Sequence, residues 1–456
     1  MTTQASRRQF LRAASALSVA GAATPFALNL ATIAAASAQA APDYRALVCV
    51  FLYGGNDAHN TVVPYDSASY QTYAGARATL AWDRATELVP LTPAVPSADG
   101  RQVALPSPLA PLATLFHAGQ CAVVANVGPL VAPTNRASYT GRTALLPPKL
   151  FSHNDQQSVW QASVPEGAKY GWGGRIGDLL AAQNANALFT CLTPSSSAVL
   201  LSGQQVRPFQ LDANQGSIAF SALNSSSLYG SAAGAAALRA RLTATSGHLL
   251  EHELGRVNQR SIEGNAALRV ALQSAPTLTP PAGNGLANQL ALVARVISAR
   301  SQLGATRQVF LTSLGGFDTH SNQQAAHTAL LTQLADAIGW FQATMAQLGT
   351  ANNVTLFTAS DFGRALLSNG DGCDHGWGAH HFVVGGAVKG AQVYGTFPDL
   401  TAAAPTDAGN GRLIPTTSVE QYAATMASWM GVGPSDLRLI LPNLPNFATD
   451  TLGFMN

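Results

Sequence analysis

The residues best suited to chemistry gather in the last third of the chain. Five of the ten histidines lie from His320 to His381, among Asp318, Asp361, Asp371 and Asp374. Carboxylates mixed with neutral imidazoles suit Zn, Mn or Fe at a hydrolytic site, whereas all-oxygen sets suit Ca or Mg. Bound ions of this kind activate a nucleophile near neutral pH and stabilise a leaving oxygen. Asp57, Asp318 and Asp361 each follow an apolar, strand-like run. Open α/β sheets place ligand sites at such carboxyl ends. Asp371 and Asp374 sit in a Gly-rich loop, where aspartate also serves turns. His248 and His252 lie four apart beside Glu251 and Glu253 and read as surface residues of a helix.

The elements that must position these groups follow an α/β grammar. Arg45 to Tyr53 is almost continuously apolar, as in a central parallel strand, and ends in Gly54-Gly55-Asn56-Asp57-Ala58-His59-Asn60. A second strand spans Cys121 to Val127, and Gln308 to Leu314 a third, followed at once by Gly315-Gly316-Phe317-Asp318-Thr319-His320. The pattern predicts an amphipathic helix from Asn322 to Leu348, carrying His327, and a strand from Asn353 to Thr358 that ends at Ala359-Ser360-Asp361. A polar loop with His375, His380 and His381 leads into the apolar run Phe382 to Val384. Strand, helix, strand, loop, strand predicts an α/β fold, with a mostly parallel central sheet flanked by helices. A helical insertion is expected at about 226–303, and residues 41–456 read as a single domain.

The first 40 residues read as an export signal. Ser6-Arg7-Arg8-Gln9-Phe10-Leu11-Arg12 is a twin-arginine signature, an Ala-rich apolar stretch follows, and Ala38-Gln39-Ala40 fits a peptidase site. Pro25 and Asn29 interrupt the stretch, which argues against a stable membrane span. The expected partners during export are the twin-arginine translocase and signal peptidase, and the expected location is periplasmic or extracellular. This segment holds three arginines and no acid. Its removal turns 25 basic against 23 acidic residues into 22 against 23. A near-neutral chain without basic tracts argues against nucleic acid. The four cysteines form no CxxC pair, and Gly54-Gly55 lacks the third glycine and helix start of a nucleotide loop, which makes a redox enzyme a poor fit.

Seven short segments together carry a family resemblance: F-L-Y-G-G-N-D at 51–57, N-V-G-P-L at 126–130, S-H-N-D-Q-Q at 152–157, G-W-G-G-R at 171–175, G-F-D-T-H at 316–320, A-S-D-F-G-R at 359–364 and D-H-G-W-G at 374–378. They span the chain beyond the signal, which resembles the exported bacterial family DUF1501. That family is similar, more distantly, to the alkaline-phosphatase and sulfatase superfamily. The resemblance implies an alkaline-phosphatase-like sheet and a metal-dependent hydrolase of phosphate or sulfate esters, holding one or two divalent ions (Zn, Mn, Fe or Ca). It places Asp57 as the first aspartate, Asp318 with His320 or His327 as a late Asp–His pair, Asp361 as a further ligand and His380 or His381 as the final histidine. Phe362 stands where the superfamily has a histidine ligand, and His375 is the candidate to replace it. Thr134, in Pro133-Thr134-Asn135-Arg136, is the first candidate nucleophile and Ser152 the second. Val131 stands at the position of the modified sulfatase cysteine. Arg364, Arg175 and His153 are candidates to hold substrate oxygens. The alternative is a non-catalytic exported binding or assembly protein that keeps the fold.

Overall fold

The computed structural model describes residues 44–456 except 98–99, 197, 213–215 and 217–226. The export signal expected at 1–40 lies outside the described residues, as does the start of the helical stretch expected at 226.

The strand Arg45–Leu52 forms the centre of the molecule because it can be buried on both faces. It pairs in parallel with Arg307–Leu314 on one side and Val354–Ser360 on the other. Successive side chains of a strand point to opposite faces. Ala46, Val48, Val50 and Leu52 accordingly enter one apolar layer, and Leu47, Cys49 and Phe51 the other. The helices Gly285–Ser298 and Gln323–Gln347 pack into the first layer. Trp172–Leu180 and Val419–Met430 pack into the second.

The full sheet runs in the order Gln392–Tyr394, Cys121–Gly128, Ala379–Val384, Val354–Ser360, Arg45–Leu52, Arg307–Leu314, Cys191–Thr193, Phe209–Gln210, with Thr417–Ser418 also paired to Cys121–Gly128. Among the described strands of this sheet only Ala379–Val384 runs against its neighbours. This mostly parallel, helix-flanked sheet is the architecture read from the sequence. The stretch beyond 226 contributes the helices Ala232–Leu242 and Leu249–Gln273 before Gly285–Ser298. All four cysteines are buried and unpaired. Among the described residues no helix is long and apolar enough to cross a membrane.

The register brings three carboxyl ends together. Leu52 lies opposite both Leu314 and Ser360. Asp57, Asp318 and Asp361 therefore start from one edge of the sheet. An antiparallel hairpin of Arg364–Ser368 and Cys373–His375 adjoins this edge, with Arg364 directly opposite His375.

Candidate metal centre

His153, Asp318 and His375 form a group whose potential ligand atoms all lie within 4.8 Å of one another. His153 opens the helix His153–Ala162, Asp318 follows the strand Arg307–Leu314, and His375 ends the hairpin. Their separations are 3.2 Å between the two Nε2 atoms, 3.4 Å from His375 Nε2 to Asp318 Oδ1 and 3.5 Å from His153 Nε2 to Asp318 Oδ1. Bonds of 2.0–2.1 Å to a tetrahedral ion place ligand atoms about 3.4 Å apart. All three edges match that spacing.

The tautomers follow from the partners. His153 Nδ1 lies 2.6 Å from Asp361 Oδ2, and a carboxylate only accepts, so Nδ1 carries the hydrogen. His375 Nδ1 donates to the Phe151 carbonyl at 2.7 Å. In the neutral rings both Nε2 atoms are then lone-pair acceptors facing each other at 3.2 Å. Two acceptors at that distance repel unless a proton or a cation lies between them. An imidazole fixed through its other nitrogen by a carboxylate or a carbonyl is the usual outer support of a metal ligand. The residues present therefore fit a divalent ion.

The surroundings sharpen the arrangement. Asp361 is fully buried and also accepts from Gln157 Nε2 at 2.8 Å and Gly54 N at 3.2 Å, while its Oδ1 has no partner among the described residues. The hydrogen bond to Asp361 raises the His153 pKa, whereas burial lowers that of His375. Burial would raise the Asp318 pKa, but Arg364, 2.5 Å away, outweighs it and keeps the carboxylate ionised. The Phe362 ring lies 4.7 Å from both imidazole rings and forms an apolar wall beside them. His320 stands at the exposed side, its Nε2 3.0 Å from His375 Nε2 and 3.1 Å from Asp318 Oδ1, with Nδ1 3.6 Å from Asp374.

Gly54 and Gly55 make the close approach possible. Both have positive φ, at 114° and 83°. A Cβ on Gly54 would lie 2.4 Å from the Asp318 nitrogen, and one on Gly55 2.5 Å from the Phe362 ring.

The other sequence candidates have different partners. Asp57 is fully buried in an ion pair with Arg77 and also accepts from Gln323 and from the His59 nitrogen. Burial would raise its pKa, but Arg77 in particular outweighs that, and the carboxyl is held below its usual value. His327 meets Asn56 Oδ1 at 2.9 Å inside the core. His380 accepts from the Asn126 nitrogen and stacks on Phe397, while His381 meets Thr358 and the rings of Trp160 and Tyr422. Asp371 accepts from Asn322 N at the start of the long helix. Thr134 donates to the Ala132 carbonyl, and Ser152 to Asp155 Oδ2 at 2.9 Å. Arg175 donates to the Ile440 carbonyl. Arg364 is buried and spends its N–H groups on Gly55 O, Cys373 O, Phe317 O, Asp318 and His320. Arg77, Phe151, Gln157 and Gln323 drew no individual reading from the sequence. Gln157 lies within the polar 152–157 segment, whereas Arg77 lies in an unremarkable helix, Ser67–Arg77.

Fold and site define an α/β protein with a histidine–carboxylate cluster at the carboxyl edge of its sheet. Residues 44–438 match the family described as "Protein of unknown function (DUF1501)", and the chain belongs to that family. No curated protein sequence matches it. Among solved structures it is similar to the lipoteichoic acid synthase LtaP from Listeria monocytogenes, with a TM-score of 0.35 and 8% identity over 92% of this chain and 82% of that one. It is also similar to the PsFucS1 sulfatase from Pseudoalteromonas sp., at 0.32 and 11% over 88% and 76%. A third is the phosphonate monoester hydrolase from Silicibacter pomeroyi, at 0.30 and 10% over 85% and 73%. At these identities and scores the chemistry has to be read from this chain's own residues.

Proposed function

We propose that the protein is an exported, metal-dependent hydrolase of phosphate or sulfate esters, with one divalent cation held by His153, Asp318 and His375. The observation that carries this reading is the triangle of 3.2, 3.4 and 3.5 Å between ligand atoms, with both Nδ1 hydrogens already committed elsewhere. A single ion is favoured because the Asp57 carboxylate is taken up by Arg77. When bound, the ion supplies Lewis acidity toward an ester oxygen and lowers the pKa of an attacking hydroxyl or water.

The chain's own groups do the rest. Asp361 holds His153 in one tautomer and orientation, and the Phe151 carbonyl does the same for His375. Arg364 keeps Asp318 ionised. Phe362 keeps water from one side of the two imidazoles. His320, half-exposed, is placed to take the proton of the attacking water and pass it to the leaving alcohol oxygen as the ester P–O or S–O bond breaks and the water oxygen bonds to phosphorus or sulfur.

A second reading rests on the hydroxyls. Among the described residues Thr134 and Ser152 have no histidine partner and are bonded to Ala132 O and Asp155. A non-catalytic exported binding protein that retains the site would look the same. Turnover separates the two. The hydrolase reading expects protein purified without chelator to release p-nitrophenol from the phosphate or sulfate ester, with the activity abolished by chelator and restored by a divalent ion. Full metal occupancy with no hydrolysis of any ester in a phosphate, sulfate and phosphonate panel would leave the binding reading.

A further inference from the structure

A site for an anionic ester needs a cation free to receive it. Arg364 has no donor left over, Arg175 faces Ile440, and Arg77 is spent on Asp57, Asn60 and the carbonyls of Ala365 and Leu366. Lys149 pairs with Asp155 at 3.3 Å.

Arg412 differs. Its Nε donates to the His375 carbonyl at 2.9 Å, and its guanidinium lies 5.0 Å from the centre of the Phe151 ring. Phe151 in turn holds His375 Nδ1 through its carbonyl. Three contacts thus join Arg412, Phe151 and His375 in a closed ring beside the cluster. The loop that carries Arg412 is itself tied down, because Asp407 Oδ1 accepts from the nitrogens of Gly409 and Gly411 at 2.7 and 3.0 Å, and Ala408 N donates to the Arg412 carbonyl. With Nε and one flat face engaged, what remains is the end of the guanidinium. The two Nη groups have no partner among the described residues. Such a pair is a bidentate donor for a carboxylate- or phosphate-like oxygen pair.

We propose that Arg412 is the anion-binding residue of this site, offering its two Nη groups to the non-bridging oxygens of a tetrahedral oxyanion. The proposal rests on the ester-hydrolase reading for its substrate class. Its geometry rests on the ring with Phe151 and His375. The fixed guanidinium requires the substrate to keep at least two unesterified oxygens on phosphorus or sulfur.

The test uses the exported protein purified without chelator, with Arg412→Gln and Arg412→Lys. Inorganic phosphate and, separately, sulfate are titrated by calorimetry, and bound metal is measured on the same samples. Loss of charge-assisted hydrogen bonds of this kind weakens binding roughly 10- to 100-fold. That loss is expected in the Gln variant, with partial recovery in the Lys variant and unchanged metal content in both. Oxyanion binding that ignores Arg412, or no oxyanion binding by the unaltered protein, would overturn the assignment. So would parallel loss of metal and anion in both variants, since Arg412 would then only support His375. Arg412-dependent binding without ester turnover would uphold the assignment and sink the hydrolase reading.

Discussion

Removing Arg77 separates two roles for Asp57. The Asp57 carboxylate is fully buried, and Arg77 supplies its only cationic side-chain partner among the described ion pairs. Arg77→Met leaves that charge with hydrogen bonds from Gln323, the His59 nitrogen and the Cys373 thiol, none of them cationic. It also strips donors from Asn60 and from the Ala365 and Leu366 carbonyls. Breaking one side of a buried pair costs about 3–5 kcal/mol, because the remaining charge is uncompensated. The three lost hydrogen bonds place Arg77→Met at the upper end of that range. Asp57→Asn should cost a similar amount by stranding the guanidinium. The double variant should be less destabilised than the sum of the singles, by up to about 3 kcal/mol. Urea denaturation of the four proteins gives these values, and elemental analysis gives their metal content. The expected pattern is a large stability loss with metal retained in the folded fraction. Additive stability losses, or an Asp57→Asn variant that keeps its stability but loses its metal, would refute the reasoning and make Asp57 a ligand.

Asp361→Ala should leave His153 free to adopt either tautomer and weaken metal affinity about 10- to 100-fold, read by competition with a chelating dye. Unchanged affinity would remove Asp361 from the site. Gly54→Ala must force a Cβ against the Asp318 nitrogen at a positive φ. It should lower both the melting temperature and metal occupancy, and a variant indistinguishable from the parent would show that the approach of the two loops is not tight. The buried His59 and His327 have pKa values pushed down by burial to about 4, and His380 and His381 to about 3. The unfolded chain takes up protons below about pH 6.5 that the native chain does not, so stability rises with pH between the folded and unfolded values. Each ring contributes a slope of up to about 1.4 kcal/mol per pH unit, visible as urea midpoints that fall steadily from pH 7 to 5. Flat midpoints over that window would mean the rings are solvated or charged in the native state.

The strand-end acids were legible because parallel neighbours share an edge. Three apolar runs followed by Asp57, Asp318 and Asp361 already implied that these residues start from one rim. What became of each acid was not legible. Arg77 reaches Asp57 from a helix whose local pattern gives no sign of it, and His153 reaches Asp361 across 208 residues. The adjacent pair His380 and His381 illustrates another limit. Neighbouring residues of a strand point to opposite faces. One therefore stacks on Phe397 in the first apolar layer and the other lies against Trp160 and Tyr422 in the second. The histidine that joins the cluster from the polar 152–157 segment does so because it opens a helix whose start adjoins the sheet edge. His375 joins because a hairpin places it opposite Arg364.

Elemental analysis of the protein produced from its full sequence and purified without chelator tests the central claim most directly when run beside His153→Ala and His375→Ala. The cluster predicts about one equivalent of a divalent transition metal in the parent, strongly reduced in both variants while each remains folded. No stoichiometric metal in the parent, or full occupancy in either variant, would contradict it.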